Sequence, residues 1–104
     1  MLTIMQGDSY KVPVKLTVNS EVLDTSKIED VEVYLGNLRK SLKENTIVYD
    51  EQNQKYLVML EQEDTFKLSG ILQIIVRVKF NGGNVVGKNA GAAKVTATPS
   101  REVL

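Results

Sequence analysis

The chain contains no cysteine, no histidine and no tryptophan, and each absence closes off a class of function. Without cysteine no disulfide restrains the unfolded state, so a chain of 104 residues must draw its stability, typically ~5–15 kcal/mol, from packing and backbone pairing. The same lack fits a reducing, intracellular origin. Without histidine or cysteine the commonest general bases, thiolate nucleophiles and zinc or copper ligands are missing, so neither catalysis nor a cofactor is expected. Without tryptophan, and with four tyrosines, aromatic platforms for sugar stacking are scarce. A carbohydrate- or ligand-binding β-sandwich is therefore kept only as the alternative function.

An excess of either charge is lacking too. Thirteen basic residues balance thirteen acidic ones, which removes the positive field that attracts phosphate and argues against nucleic acid as a partner. No apolar run reaches membrane-spanning length, so no membrane association is expected. The opening Met1 to Asp8 has neither the basic region nor the apolar core of a signal peptide, and synthesis in the cytoplasm without export follows as the expectation. Repeats and low-complexity linkers are absent. With 42% hydrophobic and 25% charged residues, the chain has the composition of one folded domain. The expected bounds are 1–98, with 99–104 as a tail that leaves the sheet.

What is present is a period of two. Tyr10, Val12, Val14, Leu16 and Val18 share one face of an expected strand while Lys11, Pro13, Lys15 and Thr17 share the other. Pro13 cannot donate to a ladder, which places that strand at a sheet edge or a bulge. Ile28, Val31, Val33 and Leu35 mark a second strand ended by Gly36-Asn37. A loop through Arg39, Lys40 and Lys43 leads to a short strand, Thr46 to Tyr49, then a polar hairpin loop and a returning strand, Lys55 to Leu60. Between Gln62 and Leu68 the β-formers thin out and acids gather where the positive end of a helical turn favours them. The clearest strand is Ile71 to Phe80, with Leu72, Ile74, Val76, Val78 and Phe80 on one face, and it is expected to be central. Asn81-Gly82-Gly83-Asn84 then supplies a hairpin turn, Val85-Val86 pairs back, and Lys94 to Thr98 forms a last strand. About seven short strands with one helical turn in the crossover predict an all-β, antiparallel sandwich.

Few residues carry candidate chemistry. Glu61, Glu63 and Asp64 are the densest acids, but they lack the alternating spacing and turn glycine of a calcium loop, so no metal is expected. A carboxylate-only enzyme would require acids such as Glu61 and Glu32 to converge. Gly82-Gly83 and Gly87-Lys88-Asn89-Ala90-Gly91 match no phosphate-binding pattern and read as turns, a bulge or a close backbone approach. Two features point to docking. Arg39 and Lys40, with Lys43, form a small basic group, although charge clusters are usually solvated faces. Ile71 and Ile75 fall on the polar face of the best strand, which requires cover by a loop, by the tail or by a partner.

Ile4-Met5-Gln6-Gly7-Asp8-Ser9-Tyr10 with the strand after it, Leu60 to Phe66, and Val76 to Phe80 with its glycine hairpin resemble, in that order and over most of the chain, small immunoglobulin-like domains of bacteriophage and prophage structural proteins. They resemble in particular the N-terminal domain of phage baseplate upper proteins. The shared motifs are short and structural. The resemblance implies a virion, tail or baseplate assembly component made in the bacterial cytoplasm, with other phage structural proteins, or further copies of itself, as partners. On the residues themselves, Gly7 is expected to take a positive φ, Asp8 to bond turn amides, Asp64 and Thr65 to cap the crossover, and Phe66 and Leu68 to plug the core. Phe66 stands where a tyrosine often sits in immunoglobulin-like folds, and it has no hydroxyl.

Overall fold

The computed structural model describes residues 2–18 and 21–104. Its strands are β1 (Leu2–Met5), β2 (Tyr10–Val14), β3 (Thr17–Val18), β4 (Glu21–Val22), β5 (Ile28–Leu35), β6 (Leu38–Ser41), β7 (Ile47–Asp50), β8 (Lys55–Leu60), β9 (Gly70–Phe80) and β10 (Val85–Thr96). One turn of 3₁₀ helix, Thr25–Lys27, precedes β5, and one short helix, α1 (Gln62–Phe66), joins β8 to β9.

Two sheets share one core. The larger has five strands in the order β1-β10-β9-β5-β6, the smaller three in the order β2-β8-β7, and β3 with β4 makes a separate two-stranded ribbon. Val31, Val33, Leu35, Ile74, Val76 and Val78 from the larger sheet meet Val12, Val14, Ile47, Val58 and Leu60 from the smaller in a single buried cluster. These are the alternate positions of each strand, so the period of two in the sequence is the inward face of a sandwich. Their β-branched side chains suit that pleated surface.

The element pattern differs from expectation in five places. The strand from Tyr10 toward Val18 breaks after Val14 and resumes at β3; Val12, Val14 and Leu16 are buried, and the side chain of Val18 lies outside the described residues. Arg39 and Lys40 sit in strand β6, not in a loop, because the Gly36-Asn37 turn folds the chain back onto β5, pairing Leu35 with Leu38 and Val33 with Lys40. Leu2–Met5 is a strand in its own right, and it pairs with β10 in parallel, so the sandwich is not wholly antiparallel. Val85 to Thr96 is one strand, because pairing with β9 carries through the glycine-rich stretch and absorbs it as a register shift between Asn89 and Ala92. Finally, Phe66 is half-buried and rests against Gly7, while Leu68 alone of the expected pair joins the core. Among the described residues β2, which carries Pro13, pairs only with β8 and is an edge.

Candidate interaction surfaces

The turn between β1 and β2 carries the chain from one sheet to the other, and α1 crosses the same end of the sandwich. Gly7 holds φ at +88° there, a conformation costly for any residue with a Cβ. Asp8 accepts a hydrogen bond from the Met5 amide at 3.0 Å. Thr65, fully buried, ties the two crossings together: its hydroxyl oxygen accepts from the Gly7 amide at 2.9 Å and lies 2.9 Å from the Asp8 carbonyl, to which it donates. Asp64 accepts from the Glu61 amide at 2.8 Å and completes a capping box at the start of α1. At the other end, the β9–β10 hairpin turns through Gly82 and Gly83, and Gly83 alone of the two takes a positive φ, +93°.

Lys40 points inward from the edge strand β6, level with Val33, and its ammonium meets the Asp64 carboxylate at 2.8 Å. At 9% exposure Lys40 is withdrawn from the surface, so it does not form a basic patch with Arg39. Burial alone would raise the Asp64 carboxyl. The hydrogen bonds from Lys40 and the Glu61 amide, with the charges of Lys40 and Lys67, outweigh it and hold Asp64 below the usual carboxylate value. Arg39 bonds to Glu32 and Glu44. Glu32 also faces Arg77, and Glu29 faces Lys43 and Lys79, so the middle of the larger sheet's outer face is a network of paired charges. Glu61 and Glu32 stand on different elements and do not converge. Among the described residues no group of three or more acids is placed to hold a metal, and no helix is long and apolar enough to cross a membrane.

Ile75 and Ile71 occupy that same outer face with different surroundings. Ile75 lies between Tyr34 on β5 and Asn89 on β10 and is half-buried. Ile71 pairs with Lys94, beyond the point where β5 ends opposite Ile74, and is 64% exposed. The tail does not cover it. Arg101 instead donates to the Gln6 side chain at 3.1 Å, and the Leu104 amide to the Gln62 side chain at 2.6 Å.

A second open region is one that sequence reasoning missed. β1 pairs with β10 only from Ala93 to Thr96, so along Val85 to Gly91 no described strand lies on that side, and every residue from Asn81 to Gly91 is exposed. Beneath this free edge, between it and the free edge of β2, run two adjoining clefts of about 340 Å³ each. Pro13, Ile74 and Ala90 line both; Val14, Leu16, Val76, Lys15 and Lys88 line the first. Its signal in the sequence is Val85-Val86 followed by a glycine-rich stretch too poor in β-formers to read as strand.

No protein-family model matches the chain, and no significant match was found among curated proteins or solved structures.

Proposed function

We propose that the chain is a non-catalytic structural or assembly module of a phage or prophage virion, of tail or baseplate type, that acts by docking to other proteins of the particle. The observation that carries this reading is Ile71, a large apolar side chain exposed near the start of β9 and left uncovered by the chain's own tail. The strand order supports an immunoglobulin-like arrangement: β2, β8 and β7 correspond to strands B, E and D, while β5, β9 and β10 correspond to C, F and G. On this reading β6 would extend the second sheet beside C, and β1 would be an A strand paired with G in place of B. In this reading the chain is made in the bacterial cytoplasm and carried into the particle.

The test is incorporation. Particles released from an induced lysogen carrying the gene, purified on a density gradient, should contain the chain in fixed ratio to the other structural proteins, and Ile71→Asp should reduce that ratio severely while the purified variant keeps its far-UV spectrum. Absence of the wild-type chain from otherwise complete particles would overturn the proposal.

A further inference from the structure

The cleft beneath the free edge of β10 has the features of a strand-docking site. Its floor is apolar, from Val14, Leu16, Ile74 and Val76, two cations flank it, Lys15 and Lys88, and no acid lines it. Neither lysine makes an ion pair among the described residues. Above the floor, Val85 to Gly91 present backbone groups that no described strand engages on that side, and an unpaired edge is a template for one more strand. An extended occupant must therefore place apolar and acidic side chains alternately along the face it turns inward, two residues apart.

An exposed segment with that pattern is the C-terminal one, whose Arg101–Gln6 and Leu104–Gln62 contacts docking would exchange. In Ser100-Arg101-Glu102-Val103-Leu104, Glu102 and Leu104 share a face, both are exposed, and Glu102 makes no ion pair among the described residues. Residues 100–104 span roughly 17 Å when extended, which fits within the length of Val85 to Gly91. The segment cannot serve its own groove readily: it leaves β10 at Thr96, the end remote from Val85, and β1 already lies along β10 from Ala93 to Thr96. We propose that this groove receives residues 100–104 of a second copy of the chain as an added strand on β10, with Glu102 between Lys15 and Lys88 and Leu104 against the exposed Pro13 and Ala90 at the mouth of the cleft. Such a contact is heterologous, joining two different surfaces, and repeats into rings or open filaments. The inference deepens the assembly reading and rests on it.

Sedimentation velocity of the full chain from micromolar to millimolar concentration tests the contact. Wild-type chain should associate with rising concentration. Removal of residues 101–104, or Lys88→Glu, should weaken association by at least about tenfold, and Lys88→Glu combined with Glu102→Lys should restore it. Circular dichroism would confirm that each variant is folded. A chain monomeric at every concentration, or association indifferent to both changes, would sink the inference. A monomer that still enters particles would overturn self-docking alone, whereas a self-associating chain absent from particles would overturn the virion reading alone.

Discussion

Thr65 is polar and wholly buried, and its hydroxyl ties the two crossings between the sheets together. Thr65→Val keeps the shape and leaves the Gly7 amide and the Asp8 carbonyl without that partner. An unsatisfied buried group costs about 1–3 kcal/mol, so the midpoint of urea unfolding should fall with an unchanged m-value. Gly7 depends on the same site. Gly7→Ala adds a Cβ that meets the Phe66 ring at 2.9 Å at a φ of +88°. The ring edge can shift but the backbone cannot, so strain of about 1–2 kcal/mol is expected from the conformation itself. Asp64 adds a pH dependence. Its folded carboxyl lies below the ordinary value of 3.8, so its contribution is fully present above the unfolded pKa and is lost as pH falls through the lower, folded one. Wild-type stability should therefore decline more steeply than that of Asp64→Asn below about pH 4, read from thermal midpoints at matched salt. Equal slopes would mean that the Lys40 contact does not persist in solution.

At the scale of elements, what the sequence disclosed and what it concealed follow from the reach of the interactions. β5 and β9 were legible because Val31, Val33 and Leu35, and Ile74, Val76 and Val78, are buried through the period of two, a local signal. β6 was not, because Arg39, Lys40 and Ser41 are no β-formers and pair through their tie to β5, while Lys40 turns inward to reach Asp64, 24 residues along the chain. An inward charge also guards an edge strand against pairing with a stranger, a role invisible without the register. The docking candidates divided in the same way: the exposed position of Ile71 was visible as an apolar residue on a polar face, whereas the withdrawal of Lys40 and the partial burial of Ile75 between Tyr34 and Asn89 were not. The long β10 makes the glycine logic testable. Gly91, at the register shift, has φ +117° and open space around a prospective Cβ, while Gly87 has an ordinary φ and ordinary contacts. Gly91→Ala should therefore destabilise by about 1 kcal/mol, through backbone alone, and Gly87→Ala should be neutral or stabilise by a few tenths to about 1 kcal/mol. Thermal unfolding of the pair would read the difference, and similar costs at both sites would place the bulge elsewhere.

The whole molecule is longer than a sphere of its mass, with extents of 46 × 25 × 22 Å and a radius of gyration of 14.2 Å, against about 13 Å expected for a compact domain of 100 residues. The excess arises from unequal layers: a three-stranded sheet cannot cover a five-stranded one whose β9–β10 hairpin is its longest part. Along the covered half, β10 lies between β1 and β9 and contributes the buried Ala93 and Val95; along the other half it is held, among the described residues, on one side only and contributes no buried residue. Local opening depends on how much apolar surface and how many paired neighbours must be given up, so one strand should show two stabilities. In hydrogen exchange at low protein concentration, amides from Val85 to Gly91 should exchange much faster than those from Ala93 to Thr96. Raising the concentration should slow the first group selectively if a second copy adds its strand there, because only that half of β10 has an edge left to pair. Protection uniform along the strand at low concentration would mean that the hairpin is held by something other than its partners in the sandwich.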